Sequence, residues 1–236
     1  MTTYFIHGFL EDNSMWDSIG FPPNIQPRFI ELPGHGRKLK DSCPNNMTEI
    51  AHLVAEEISE SSYNIVGHSM GGYLIGSLLE LGIRPQKIGL FHSKLSEDGT
   101  EKKEQRMRAI DLVKENKSLY IKTMISNLFS SHQKESFNQS ISHLVQQASK
   151  ISIETITHCH LAMMNRVSGI NLVKELNIPT YYFAGQQDSS IPLSQIQEEA
   201  KILSENTSLT AISNIGHMGH IEDPQAFTEW LLKNFG

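Results

Sequence analysis

Cysteine is nearly absent from this sequence: Cys43 and Cys159 are the two in 236 residues. Two isolated thiols make no disulfide framework, so a cytoplasmic location is expected. Long apolar runs are missing as well. No stretch approaches the roughly 18 residues of a membrane span, and no membrane partner is expected. The first residues, Met1-Thr2-Thr3-Tyr4-Phe5-Ile6-His7, carry no basic n-region, which argues against a signal peptide. Nor is there a surplus of positive charge. Twenty Lys and Arg stand against 26 Asp and Glu, a net −6 that gives nucleic acid nothing to hold. The densest basic stretch, Lys102-Lys103 with Arg106 and Arg108, is interleaved with Glu101 and Glu104 and reads as a solvated helix face.

What is present is an ordinary globular balance, 39% hydrophobic and 19% charged, in a chain long enough to bury one domain's core. Short β-branched and aromatic runs predict strands at 3–6, 28–32, 63–66, 87–91, 180–184 and 208–212. Helical spacing predicts a helix over 48–60 with Thr48 as its N-cap, another over 70–81, and a last one over 224–235. Strands alternating with helices imply an α/β fold, a doubly wound, mostly parallel sheet of about six strands. Residues 93–176 break the alternation. This stretch of about 80 residues holds no convincing strand, and Ile110, Val113 and Leu119 predict one helix face while Leu144, Val145, Ala148 and Ile151 predict another. It is therefore expected to be a helical lid inserted into a core formed by 1–92 and 177–236. Asp98 reads as an acid at the first turn of a lid helix.

Gly67-His68-Ser69-Met70-Gly71 matches the G-x-S-x-G turn, and it sits between a predicted strand and a predicted apolar helix. Such a turn exposes the serine hydroxyl at the carboxyl end of a strand, beside the amide-rich start of a helix.

With His7-Gly8-Phe9, Pro33-Gly34-His35-Gly36, Gly185-Gln186-Gln187-Asp188 and Gly216-His217, this turn completes a series that spans most of the chain. In it the sequence resembles the α/β-hydrolase superfamily, in a small, lid-bearing, esterase-like form. The resemblance implies Ser69 as nucleophile, His217 as base and Asp188 as the acid that orients it, in the order Ser, Asp, His. His217 is preferred to His220 because it lies on the loop directly after the last strand. The match Gly216-His217-x-x-x-x-Glu222-x-Pro224 supports the same choice. The resemblance also implies an oxyanion hole from the backbone N–H groups of Phe9 and Met70. Apolar lid residues such as Met107, Leu112, Tyr120 and Met164 are candidate packing or substrate contacts. Met124, Leu128, Phe129 and Met163 are the expected substrate wall.

The implied reaction is hydrolysis of a carboxylic ester or thioester of a small, partly apolar molecule, without cofactor or metal. His158-Cys159-His160 is not expected to bind zinc, because adjacent side chains on a helix point apart. Two other readings stay open: a non-hydrolytic lyase of the same fold, of menaquinone-pathway or hydroxynitrile type, and a slow-turnover small-molecule receptor.

Overall fold

The structure is a computed structural model that describes residues 1–203 and 206–236. Six strands form one sheet: β1 (Thr2–Ile6), β2 (Gln26–Ile30), β3 (Tyr63–His68), β4 (Ile88–Phe91), β5 (Thr180–Gly185) and β6 (Thr207–Ile212). Their order is β2-β1-β3-β4-β5-β6, and every pairing is parallel. The order reverses between β1 and β3, the kind of place where open α/β sheets leave a crevice at the carboxyl ends of the strands.

Side chains alternate across the sheet, and each face buries its own set. Phe5, Val66, Phe91 and Phe183 point to one side, where they meet Trp16 and the last helix (Pro224–Phe235) through Phe227 and Trp230. Phe91 and Phe227 stack with ring centroids 4.0 Å apart. Such a pair contributes about 0.5–1.5 kcal/mol beyond the area it buries. Tyr4, Ile6, Ile65, Leu90 and Tyr182 point to the other side, under α1 (Met47–Ala55) and α2 (Met70–Glu80).

The local boundaries differ from the sequence expectation for identifiable reasons. β2 begins at Gln26, because the five residues of β1 pair in register with 26–30, and Leu32 instead gives its N–H to His7 Nε2. The cap of α1 is Asn46, not Thr48: its side chain accepts the Glu49 N–H at 2.8 Å. That helix stops at Ala55, short of 60, and the N–H groups of Ser59 and Glu60 turn to the hydroxyl of Tyr4.

Among the described residues no strand lies between β4 and β5. The insertion consists of α3 (Thr100–Ser126), α4 (Asn138–Ala148), α5 (Ile153–Asn165) and α6 (Ile170–Leu176). The first three form the lid. The last packs on the core, where Gly169 approaches Gly76 of α2 so closely that a Cβ on either would press on the other's backbone. A kink at Asn116 (φ −153°, ψ 80°) divides α3. Its side chain caps the second half by accepting the Leu119 N–H at 3.0 Å. The kink rotates Leu119 away from the Ile110–Val113 face and leaves it 50% exposed, contrary to the periodicity. Among the described residues no helix is long and apolar enough to cross a membrane.

Candidate active site

Ser69 follows β3 in a conformation that non-glycine residues rarely adopt, φ 48° and ψ −115°. The turn is held from both sides: Ser69 N–H donates to Phe91 O at 3.0 Å, and Ser93 Oγ–H donates to Ser69 O at 2.7 Å. Glycine is required where strand and helix nearly touch. A Cβ on Gly67 would fall on the Gly72 amide, and one on Gly71 would fall on the carbonyl of Ile6. The strained turn therefore rests on backbone contacts that only this glycine spacing allows.

Two loops at the same sheet edge bring the partners. Gly185 ends β5, and Asp188 follows in a turn where its Oδ1 accepts the N–H groups of Ser190 (2.8 Å) and Ile191 (3.0 Å). His217 follows β6. Its Nδ1–H donates to Asp188 Oδ2 at 2.7 Å, and its Nε2 lies 2.9 Å from Ser69 Oγ. The sequence-predicted serine, histidine and aspartate thus form one hydrogen-bonded chain across 148 residues. Burial alone would raise the Asp188 pKa, but His217 and His92 outweigh it and hold the carboxyl well below the usual carboxylate range. Ser69 is half-buried, whereas Asp188 and His217 are buried. A hydroxyl–imidazole–carboxylate chain of this kind can remove a proton from the hydroxyl and return it to a leaving group.

Phe9 and Met70 flank Ser69, from the turn after β1 and the first turn of α2. Among the described residues neither backbone N–H donates to a protein acceptor.

The structure adds three residues that the sequence did not identify. Glu11 Oε2 accepts from His68 Nδ1–H at 2.6 Å in a fully buried pair. Burial would raise Glu11, but His68 wins and its pKa falls to about 2; burial would lower His68, but Glu11 raises it. Each shift favours the charged form of its group, and His68 Nε2–H donates onward to the backbone O of His217 at 3.2 Å. Gly8 leaves the space: a Cβ there would fall on Glu11 and His68. The third is His92, whose Nδ1–H donates to Asp188 Oδ2 at 3.3 Å. Burial lowers its pKa to about 4, which keeps it a neutral donor.

These residues escaped sequence reading because Glu11–His68 and His92–Asp188 are 57 and 96 residues apart. Glu222 was legible as part of the histidine motif. Its carboxylate accepts the N–H groups of Gly216, Met218 and Ser130 at 2.8–3.1 Å, so it fixes the His217 loop and ties it to the lid.

His220 takes another direction, toward Glu11 Oε1 at 3.4 Å. His158, Cys159 and His160 diverge, to Cys43 O, Cys43 Sγ and the Tyr120 hydroxyl. His92, Asp188 and His217 present atoms within 4.8 Å of one another, a spacing that could hold a metal ion. Here the same atoms are joined by the two hydrogen bonds on Asp188 Oδ2.

The lid overhangs a cavity of about 50 Å³ at Ser69 and His217. Met124, Leu128 and Met163 line it. Phe129 does not: it is buried against Phe137, ring centroids 5.6 Å apart. Met107 is 45% exposed on the outer face of α3. The basic stretch is not a uniformly solvated face. Lys102 and Arg106 turn inward and line the cavity, while Lys103 and Arg108 stay outside. Asp98 is no simple helix-start acid; it is buried and bridges Arg106 and Arg166. The inner face of α3 runs 102, 106, 110, 113, a helical repeat that carries the apolar stripe back onto two cations.

A family model described as the alpha/beta hydrolase family matches residues 4–230. The chain belongs to that family. A search of curated protein sequences found no significant relative. Among solved structures, an esterase from Thermogutta terrifontis is 22% identical with TM-score 0.83, over 100% of this chain and 91% of that one. MenH from S. aureus is 21% identical with TM-score 0.81, over 100% and 95%. A bromoperoxidase from Bacillus anthracis is 16% identical with TM-score 0.85, over 99% and 91%. At these identities what this α/β hydrolase shares with them is the fold.

Proposed function

We propose that this protein is a serine hydrolase that cleaves a carboxylic ester or thioester of a small molecule, in the cytoplasm and without a cofactor. The observation that carries the reading is the continuous chain Ser69 Oγ, His217 Nε2, His217 Nδ1, Asp188 Oδ2, with links of 2.9 and 2.7 Å, opening on the cavity under the lid. His217 takes the Ser69 proton as Oγ attacks the carbonyl carbon. The Asp188 carboxylate holds the imidazole's orientation and stabilises its cation. The N–H groups of Phe9 and Met70 receive the developing oxyanion, each worth about 3–4 kcal/mol in the transition state. His217 then protonates the leaving group. A water, deprotonated by His217, releases the acid from the acyl-serine. The half-exposed Ser69 and its turn at the start of α2 suit this role.

The experiment is hydrolysis of p-nitrophenyl esters from acetate to laurate by wild type and Ser69→Ala. Multiple turnover that disappears in the variant is expected. Single acylation without turnover favours a receptor.

A second reading has its own support. His92, Asp188 and His217 form a buried base unit that does not need Ser69, and the fold match to MenH spans nearly the whole of both chains. In it His217 removes a proton from a substrate carbon, and a lyase product forms without consuming water. Turnover that survives Ser69→Ala but not His217→Ala selects this reading.

A further inference from the structure

The lid presents charge to Ser69 where an apolar wall was expected. Lys102 and Arg106 stand one helical turn apart on α3, and both line the cavity of about 50 Å³ that contains Ser69 and His217.

The protein leaves positive charge unmatched there. Asp98 is one carboxylate shared by two guanidiniums, from Arg106 Nε and Arg166 Nη1. Arg166 donates to the carbonyls of Met163 and Ser96 at 2.7 Å and lies 3.8 Å over the ring of Tyr73, while its buried Nε has no partner. Arg106, which lines the cavity, has fewer protein partners. Beyond Asp98 its Nη1 reaches only the thioether of Met163, a weak acceptor, at 3.3 Å. Lys102 Nζ–H donates to the Ser190 carbonyl at 3.2 Å, and among the described residues no carboxylate lies within 4.0 Å of it. Glu11, the carboxylate that lines this cavity, is held by His68. Burial first, then the neighbouring Arg106, lowers the Lys102 pKa, and the more distant Asp98 and Asp188 only partly oppose the shift. Burying cations without partners is costly, and an anionic group brought by the ligand would remove that cost.

We infer that the substrate is an ester or thioester of a short dicarboxylic acid, whose free carboxylate is held by Lys102 and Arg106 while its ester carbonyl faces Ser69. The inference rests on Ser69 being the nucleophile. Water adds across the ester bond, so the products are the dicarboxylate and the alcohol or thiol.

Protection of Ser69 from a fluorophosphonate probe tests the two claims separately. The competitors are monoethyl succinate and its neutral isostere ethyl 4-oxopentanoate, which differ by a carboxylate in place of a methyl ketone. The half-ester is expected to slow labelling at a concentration about tenfold or more below the neutral ester, as befits hydrogen bonds to a charged group. Lys102→Met should bring the two concentrations together, and Lys102→Arg should keep them apart. Lys102 has a single protein hydrogen bond, so its replacement spares the Asp98 bridge. Equal protection by both esters in wild type, or a preference that survives Lys102→Met, overturns the inference and leaves the serine reading standing. Absence of labelling overturns both.

Discussion

The two halves of the site are built on different principles. The lower half is the carboxyl edge of the sheet, where Ser69, Asp188 and His217 stand on loops leaving β3, β5 and β6. Each is fixed by backbone hydrogen bonds and by glycine positions that admit no side chain. The upper half is the lid, where Lys102, Arg106 and Met124 come from α3, Leu128 from the turn after it and Met163 from α5. Strand ends are rigid and close in space whatever the loops contain, so on the proposed reading they hold the chemistry. Helices inserted above them can alter cavity size and charge while the sheet stays unchanged, so on the same reading they hold the selectivity.

The sharpest way to break this division is to remove the lower half. Ser69→Ala and His217→Ala are each expected to cut turnover roughly 10⁴-fold or more on every ester tested, with melting temperature preserved. Asp188→Asn should follow with a loss of about 10³–10⁴, because the neutral amide cannot hold the imidazole cation. A variant of this group that changed substrate preference and kept its rate would contradict the division.

Glu222→Gln probes the seam between the halves. It weakens a carboxylate that holds three loop N–H groups, and a slightly displaced His217 should lower kcat about tenfold to hundredfold. The comparison of kcat with KM checks this, since the loss should fall mainly in kcat.

Glu11→Gln should act on stability, by about 3–5 kcal/mol, because it leaves His68 buried without its carboxylate. The pH dependence has a definite sign. Glu11 lies at about 2, below its ordinary 4.5, so its contribution is complete above pH 4.5 and fades as pH falls toward 2. His68 lies above its ordinary 6.5, so its contribution is complete below pH 6.5 and fades as pH rises past its folded value. Wild type should gain most from the pair between those limits. Denaturant melts across pH should show that maximum, and Glu11→Gln should flatten it.

The smallest effects belong to the lid. Met124→Ala and Met163→Ala should shift the preferred acyl chain length upward, with rate changes of about tenfold or less on the best ester. Chain-length profiles of each variant measure this. An outright loss of activity would mean that the lid helps hold the chemistry itself.

The same contrast explains what was legible in the sequence. The sheet edge was readable because each of its motifs is local: G-x-S-x-G specifies its own turn, and Asp188 and Gly216-His217 follow strands marked by β-branched and aromatic residues. The supports of that edge were not readable. Glu11 and His92 meet their partners only through the fold, across 57 and 96 residues. In the lid, the apolar repeat at Ile110 and Val113 steps back four residues at a time to Arg106 and Lys102, so the inward cations left a trace. The alternating acidic residues of α3 masked it, and the kink at Asn116 made Leu119 look internal when it is not. Phe129 looked like substrate wall because it is large and apolar, but its partner Phe137 lies in a segment whose packing no local pattern announces.

The central claim is that Ser69 carries the acyl group during turnover. Rapid-quench mass spectrometry of the protein during hydrolysis of p-nitrophenyl acetate tests it most directly. The account predicts an acetyl group on the peptide containing Ser69, formed in the burst phase and absent from Ser69→Ala. Steady turnover with no adduct on that peptide, undiminished in Ser69→Ala, would contradict it.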